Sequence, residues 1–215
     1  IPLGLKIDNI FSLLLIAMTF DDGKLFKSNI SVARTLLEQG GDWDRRNRFK
    51  VFEGLYNITK RNFKRASQLF LDGIATFAAT EIMSYKTFIF YTCITGLISL
   101  ERKDLKKHII DGSEVLSVVR DIPFLRAYIN SCYDCEYKLL FESFIGIADA
   151  MQLDKFLAPH MRFYGRELRI KIFKQYLDSY RSVTFASMSK QFGLSPEFLD
   201  STISKLVISG RLLQN

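Results

Sequence analysis

The chain has 215 residues, 48% of them apolar and 25% charged, with 12 glycines and 4 prolines, which is enough to bury a core and excludes disordered, collagen-like and disulfide-scaffold chains. Its 30 lysines and arginines outnumber the 23 aspartates and glutamates, and the resulting +7 raises nucleic acid, a membrane surface or an acidic protein as partners. Apolar residues recur at three and four almost throughout, predicting helices over about 4–20, 24–39, 43–59, 62–78, 83–99, 102–120, 122–135, 136–151, 152–161 and 163–180. The longest apolar run, Phe11 to Phe20, lies between Asp8 and Asp21-Asp22. It is shorter than the roughly 20 residues a membrane span needs, so it reads as a buried helix. No basic start with a small-residue cleavage site signals secretion. Ile1 stands where a methionine would begin, which predicts further native chain upstream.

The first breaks are short: Asp21-Asp22-Gly23, Gly40-Gly41-Asp42 and Lys60-Arg61-Asn62. Gly40 suits a C′ position and Asp42 an N-cap, and helices joined so closely pack as antiparallel hairpins. The hairpins repeat: Gly54 to Ala66 aligns with Gly96 to His108 at an offset of 42 residues, each with a small-plus-Leu pair, a basic turn and an apolar re-entry. Gly54, Phe63, Ala66, Phe70 and Gly73 are spaced like the small and aromatic positions of a tetratricopeptide hairpin. The offset exceeds the about 34 residues usual for that repeat, so the array is tetratricopeptide-like.

The cations are unevenly placed. Residues 1–110 hold 17 basic and 11 acidic side chains, net +6, and residues 111–215 hold 13 and 12, net +1. The densest cluster lies between Asp42 and Arg65: Arg45, Arg46, Arg48, Lys50, Lys60, Arg61, Lys64 and Arg65 against three acids. Asp42 and Asp44 can pair with Arg45, Arg46 or Arg48 within a turn, at roughly 0.2–0.5 kcal/mol each. The other reading is an acidic protein neighbour, recognised through charge that sets specificity and encounter rate.

Chemistry-bearing motifs are scarce. Cys132-x-x-Cys135 lacks the second ligand pair that closed zinc sites require, so its thiols read as reduced and buried. There are two histidines and no phosphate-loop, dinucleotide, nucleophile-elbow or zinc-protease motif. No catalytic, cofactor-binding or metal-ligating residue is expected.

The C-terminal stretch reads as strand, helix, turn, longer helix, strand. Val183-Thr184-Phe185 is β-prone, residues 186–192 make a two-turn helix, and Gly193 ends it left-handed. Ser195 serves as N-cap with Pro196 at N1, and Arg211-Leu212-Leu213 starts an extended segment. This is the winged-helix plan, with its wing cut short at Asn215. Residues 195–209 carry Lys205 against Glu197 and Asp200, a net-negative helix unsuited to phosphates.

Helical hairpins running into a winged helix resemble PCI-domain proteins, the scaffold subunits of the proteasome lid, the COP9 signalosome and the initiation factor 3 complex. The stretch from Gly41-Asp42-Trp43-Asp44-Arg45-Arg46-Asn47-Arg48 to Leu55 is similar to the proteasome-lid branch, more than to its signalosome paralogue. Thr76-Phe77, Ser84 to Phe88, Ala158-Pro159-His160, Arg166 to Arg169 and Tyr180 to Thr184 resemble it too. The resemblance covers essentially the whole chain, without the family's distal N-terminal helices, wing or C-terminal helix. It implies an all-α fold in which a right-handed tetratricopeptide-like array over 1–120 precedes a PCI region over 121–215. That region would comprise a helical linker (121–165) and a winged helix (166–215) with a small, truncated sheet. It also implies a non-catalytic scaffold for ubiquitin-dependent degradation, in cytoplasm and nucleus, in hetero-oligomers with other PCI-type lid subunits and neighbouring proteasome subunits. No cofactor or membrane is implied. The candidate contact residues are Arg45, Arg46, Arg48, Lys60, Arg61, Lys64 and Arg65 on the array, and Val183, Thr184, Phe185, Arg211, Leu212 and Leu213 on the sheet edges. The alternative is a nucleic-acid-binding PCI module whose phosphate face is the basic patch at 45–65.

Overall fold

Short polar side chains open most of the long helices. In the computed structural model, which describes residues 2–180 and 182–212, Asp22 accepts from the amides of Lys24 and Leu25, Asp42 from Arg45, Asn62 from Arg65 and Ser84 from Thr87. Each such cap satisfies amides that a helix start leaves without partners. The helices so opened are α2 (Gly23–Gly40), α3 (Trp43–Thr59), α4 (Phe63–Gly73) and α5 (Tyr85–Ser99), and α1 (Leu3–Thr19) starts after Pro2 without a side-chain cap. Helix makes up 78% of the structure, and no strand occurs among the described residues.

The chain divides into two units. The first runs to Leu100 and includes Ser113–Val118, which holds the one-turn α7 (Ser113–Leu116). Successive helices α1 to α5 pack on one another, and α1 also reaches α3. The stripe Ile7, Phe11, Leu14 and Ala17 meets Phe26, Ile30, Ala33 and Leu37 of α2 and Phe49 and Phe52 of α3. α5 is buried at every position from Phe88 to Leu97. Its internal hydroxyls are satisfied locally: Thr92 donates to the Phe88 carbonyl and Thr95 to that of Tyr91, both at 2.8 Å.

Two turns at one end of this unit share a geometry that contains no glycine at the critical position. Asp21 (φ +58°) and Arg61 (φ +58°) each adopt the left-handed conformation. The next amide, of Asp22 or Asn62, then reaches five residues back, to the carbonyl of Ala17 or Asn57. This is the Schellman closure usually made by glycine.

The second unit comprises Glu101–Gly112 and the chain from Val119 onward. Its helices are α6 (Arg102–Leu105), which continues as a π-turn over Lys106–Ile110, then α8 (Leu125–Asp134), α9 (Tyr137–Gln152), α10 (Met161–Leu177), α11 (Phe185–Phe192) and α12 (Pro196–Ile208). The hydroxyls of buried Tyr128 and Tyr164 bond each other at 2.9 Å between α8 and α10. Phe192 of α11 lies among Tyr137 and Phe141 of α9 and Phe173 and Tyr176 of α10.

Several expectations need correction. The helix expected over 102–120 is interrupted at Asp111-Gly112, where the chain passes so close to the His108 carbonyl oxygen (2.3 Å from the position a Cβ would take) that a residue with a Cβ would clash. That expected over 62–78 ends at Gly73 and tightens into a 3-10 turn over Ile74–Thr76. Residues 153–157 form turns capped by Asp154, which accepts from Phe156 and Leu157, so no α-helix spans 152–161.

The helix pair near the C-terminus follows the sequence reading: Gly193 is left-handed (φ +66°), Ser195 caps Phe198 and Pro196 sits at the first helical position. Neither flanking strand forms among the described residues. Phe185 is the first residue of α11, with Val183 and Thr184 leading into it and Thr184 capping Ser187. The amides of Arg211 and Leu212 both turn back to the Leu206 carbonyl, which removes them from any ladder. Leu213 lies outside the described residues.

Candidate protein interface

The eight clustered cations of the array divide into two groups. Arg45 grips both oxygens of Asp8 (Nε–Oδ1 2.9 Å, Nη2–Oδ2 2.6 Å) and also bonds Asp42. Arg46 donates to the carbonyls of Leu37 and Gly41, both at 2.8 Å, and so caps the end of α2. Arg48 pairs with Glu81 at 2.7 Å and lies 5.2 Å from the centre of the Phe11 ring, and Lys50 donates to the Asp72 carbonyl at 3.2 Å. These four side chains hold α3 to its neighbours. Lys60 and Arg61 lie instead on the exposed turn between α3 and α4, and Lys64 and Arg65 are exposed in the first turn of α4.

The Asp8–Arg45 pair has a pH signature. Hydrogen bonds from Arg45, aided by the charges of Arg45 and Arg48, hold the Asp8 carboxyl below the usual carboxylate range against the opposing effect of partial burial. Because the folded-state value is depressed, the stabilisation is complete at neutral pH and is lost as pH falls through about 4 and below. Asp8→Asn is therefore expected to lower the urea midpoint near neutrality, with the gap to wild type narrowing in acid. A gap independent of pH would remove Asp8 from the linkage.

In the second unit, the residues expected on sheet edges are partly tied down. One nitrogen of Arg211 lies 2.6 Å from both oxygens of Glu167, and Leu212 is buried. Val183 is half-buried, and Thr184 and Phe185 are exposed. Tyr180, Phe185, Phe198 and Ile208 leave an exposed apolar set on and before α11 and α12.

The paired cysteines differ from each other. Burial pushes the Cys132 thiol up to about 11, whereas Cys135 is only partly buried, and its sulfur accepts from Gln175 (2.8 Å) and Arg102 (3.3 Å). Cys93 is buried, and its thiol is pushed up to about 12 for the same reason. Among the described residues no group of three or more His, Cys, Asp or Glu is placed to hold a metal, and no helix is long and apolar enough to cross a membrane. Sequence reasoning missed Lys24 and Lys27 at the start of α2, both exposed at the same end of the unit as Lys60. Their signal lay in the alternation of hairpins, which brings every second turn to one end.

The family described as 26S proteasome subunit RPN7 matches residues 1–108, and a PCI domain matches residues 124–213. The 26S proteasome non-ATPase regulatory subunit 6 homolog of Arabidopsis thaliana is 46% identical over 212 residues, covering 99% of this chain and 55% of that protein. The 26S proteasome regulatory subunit rpn7 of Schizosaccharomyces pombe is 36% identical, covering 97% of this chain and 54% of its own length. The corresponding subunit RPN7 of Saccharomyces cerevisiae is 34% identical, with 99% and 50% covered. The chain thus spans about half the length of the curated relatives it matches. With a hairpin unit matched over its first half and a PCI domain after it, the chain belongs to the 26S proteasome subunit RPN7 family.

Proposed function

We propose that this chain is the hairpin-array and PCI portion of a non-catalytic scaffold subunit of the proteasome regulatory-particle lid, corresponding to its seventh non-ATPase subunit. The observation that carries this reading is the order of the two matches, an RPN7 segment over 1–108 and a PCI domain over 124–213, on relatives named as proteasome regulatory subunits. The protein assembles as a hetero-oligomer with PCI-type siblings in cytoplasm and nucleus, and serves ubiquitin-dependent degradation without a cofactor or a reaction of its own. A tetratricopeptide-like stacking of the array is supported by the close approach of α3 and α4 at Gly54 and Phe70. The stretches Val183-Thr184-Phe185 and Arg211-Leu212-Leu213 are where sibling modules join. The exposed Phe185 and Phe198 supply apolar area there.

Tagged full-length protein purified from cells, with partners identified by mass spectrometry, tests the assignment. Lid subunits are the expected partners. Recovery instead of RNA, released with a loss of about 10³ or more in affinity between roughly 50 and 200 mM salt, would replace the scaffold with a nucleic-acid module. Against that second reading stands the use of Arg45, Arg46, Arg48 and Lys50 in contacts inside the array.

A further inference from the structure

Cations gather at one end of the first unit. The buried Phe26 ring, in the first turns of α2, meets Tyr56, in the last turn of α3, at 6.1 Å between centroids. The ammonium of Lys60 lies 5.6 Å from the centre of that Tyr56 ring. This chain of contacts places the starts of α2 and α4 at the same end. Residues 20–27 and 56–65 together carry Lys24, Lys27, Lys60, Arg61, Lys64 and Arg65 against Asp21 and Asp22, net +4. All six cations are exposed. Elsewhere in the unit Arg34, Arg45 and Arg48 each hold a carboxylate, whereas among the described residues Lys24, Lys27, Lys64 and Arg65 have none within ion-pair distance.

We propose that this end of the hairpin array docks an acidic, apolar-bearing segment of another polypeptide. Two features favour a protein over a phosphate polymer. First, the helix starts offer no amide cradle for a phosphate, because Asp22 and Asn62 already take the amides of Lys24, Leu25 and Arg65. An anion must therefore be met by side chains, spread over two hairpins. Second, the surface is of mixed character. Asp21 and Asp22 interrupt the cations, and Phe20, 78% exposed, stands beside them. A phosphate backbone would have to cross those carboxylates, whereas a peptide can set a polar residue there and an apolar side chain on Phe20. Exposed pairs contribute at most about 1 kcal/mol each, so this surface governs encounter and specificity more than affinity.

The test uses the whole chain and two fluorescent probes, a peptide of Glu-Glu-Phe repeats and a polyuridylate strand, read by anisotropy and stopped-flow mixing. The peptide is expected to bind. Reversal of Lys24, Lys27, Lys64 and Arg65 to Glu should weaken it roughly tenfold or more, mainly through slower association, and flatten its salt dependence. A variant with Lys103, Lys107, Lys138 and Lys190 reversed carries the same change in net charge and should bind as wild type does. An alanine version of the first variant gives a milder loss and serves if the Glu version melts early. Absence of peptide binding, equal loss in both reversal variants, or tighter binding of polyuridylate at matched salt would each overturn the proposal. The lid assignment is read separately, by co-purification, and does not depend on this outcome.

Discussion

Phe192→Ala is expected to cost about 3–5 kcal/mol, the usual range for removing a fully buried aromatic from a core. Phe192 is 1% exposed and is the point where three helices meet. Its ring stacks on Tyr137 at 4.6 Å, meets Tyr176 at 5.2 Å and Phe173 at 5.4 Å edge-on, and reaches Phe141 at 6.2 Å. Tyr137 and Phe141 belong to α9, Phe173 and Tyr176 to α10, so the alanine cavity opens where α11 is anchored to both. α11 has only eight residues, below the length at which a helix persists alone, and it depends on that anchor. The expected readouts are a fall in urea midpoint and loss of hydrogen-exchange protection in α11 and α12. If the proposed lid assignment holds, capture of lid subunits by the full-length protein should fall with them. Phe192→Leu keeps most of the volume and should retain most of the stability. A cost near 1 kcal/mol for the alanine variant would show that the aromatic cluster is incidental to holding the helix-turn-helix pair.

That pair was among the most legible parts of the chain, because its signals are local. Gly193, Ser195 and Pro196 each act within one turn, and the structure places them as a left-handed stop, an N-cap and a first helical residue. The ends of α1, α2 and α3 were legible for the same reason, from Asp22 and Asp42. What failed depended on partners distant in sequence. Periodicity marks Arg45 and Arg48 as cations on a helix, but the acids they hold, Asp8 and Glu81, lie 37 and 33 residues away. A patch counted from consecutive residues therefore mixed cations already spent on packing with those left exposed. The strands failed differently. Val183-Thr184-Phe185 is β-prone, yet a strand needs a ladder partner, and the amides of Arg211 and Leu212 are taken by the end of α12. The break at Gly112 was hidden because the apolar spacing of Leu105, Ile109, Val115 and Val119 continues across it, all four being buried.

Substituting Gly54 and Gly165 should give opposite signs for the same chemical change. In an exposed or roomy helix interior, glycine to alanine stabilises by up to about 1 kcal/mol, since the unfolded chain loses freedom and the helix gains a better former. Gly165, within α10, has nothing within 4 Å of the position a Cβ would take, so Gly165→Ala should be stabilising by that amount. At Gly54, within α3, the same Cβ would lie 2.2, 2.7 and 2.8 Å from three atoms of the Phe70 ring. That ring has little room to retreat: it is fully buried, with Phe88 edge-on at 5.5 Å and Tyr91 at 6.2 Å. Forcing a methyl group into such packing costs typically about 1–3 kcal/mol, which outweighs the gain in helix propensity, and Gly54→Val adds two further methyl groups. The valine variant should be the more damaging and should spread α3 from α4, on which the stacking of the array depends. Phe70→Leu supplies the internal control. It is destabilising alone because it thins the core, but it should relieve part of the Gly54→Ala penalty, giving a coupling between the two sites in a double-mutant cycle. If Gly54→Ala instead raises the melting temperature as Gly165→Ala does, α3 and α4 are not held at the distance that only glycine allows.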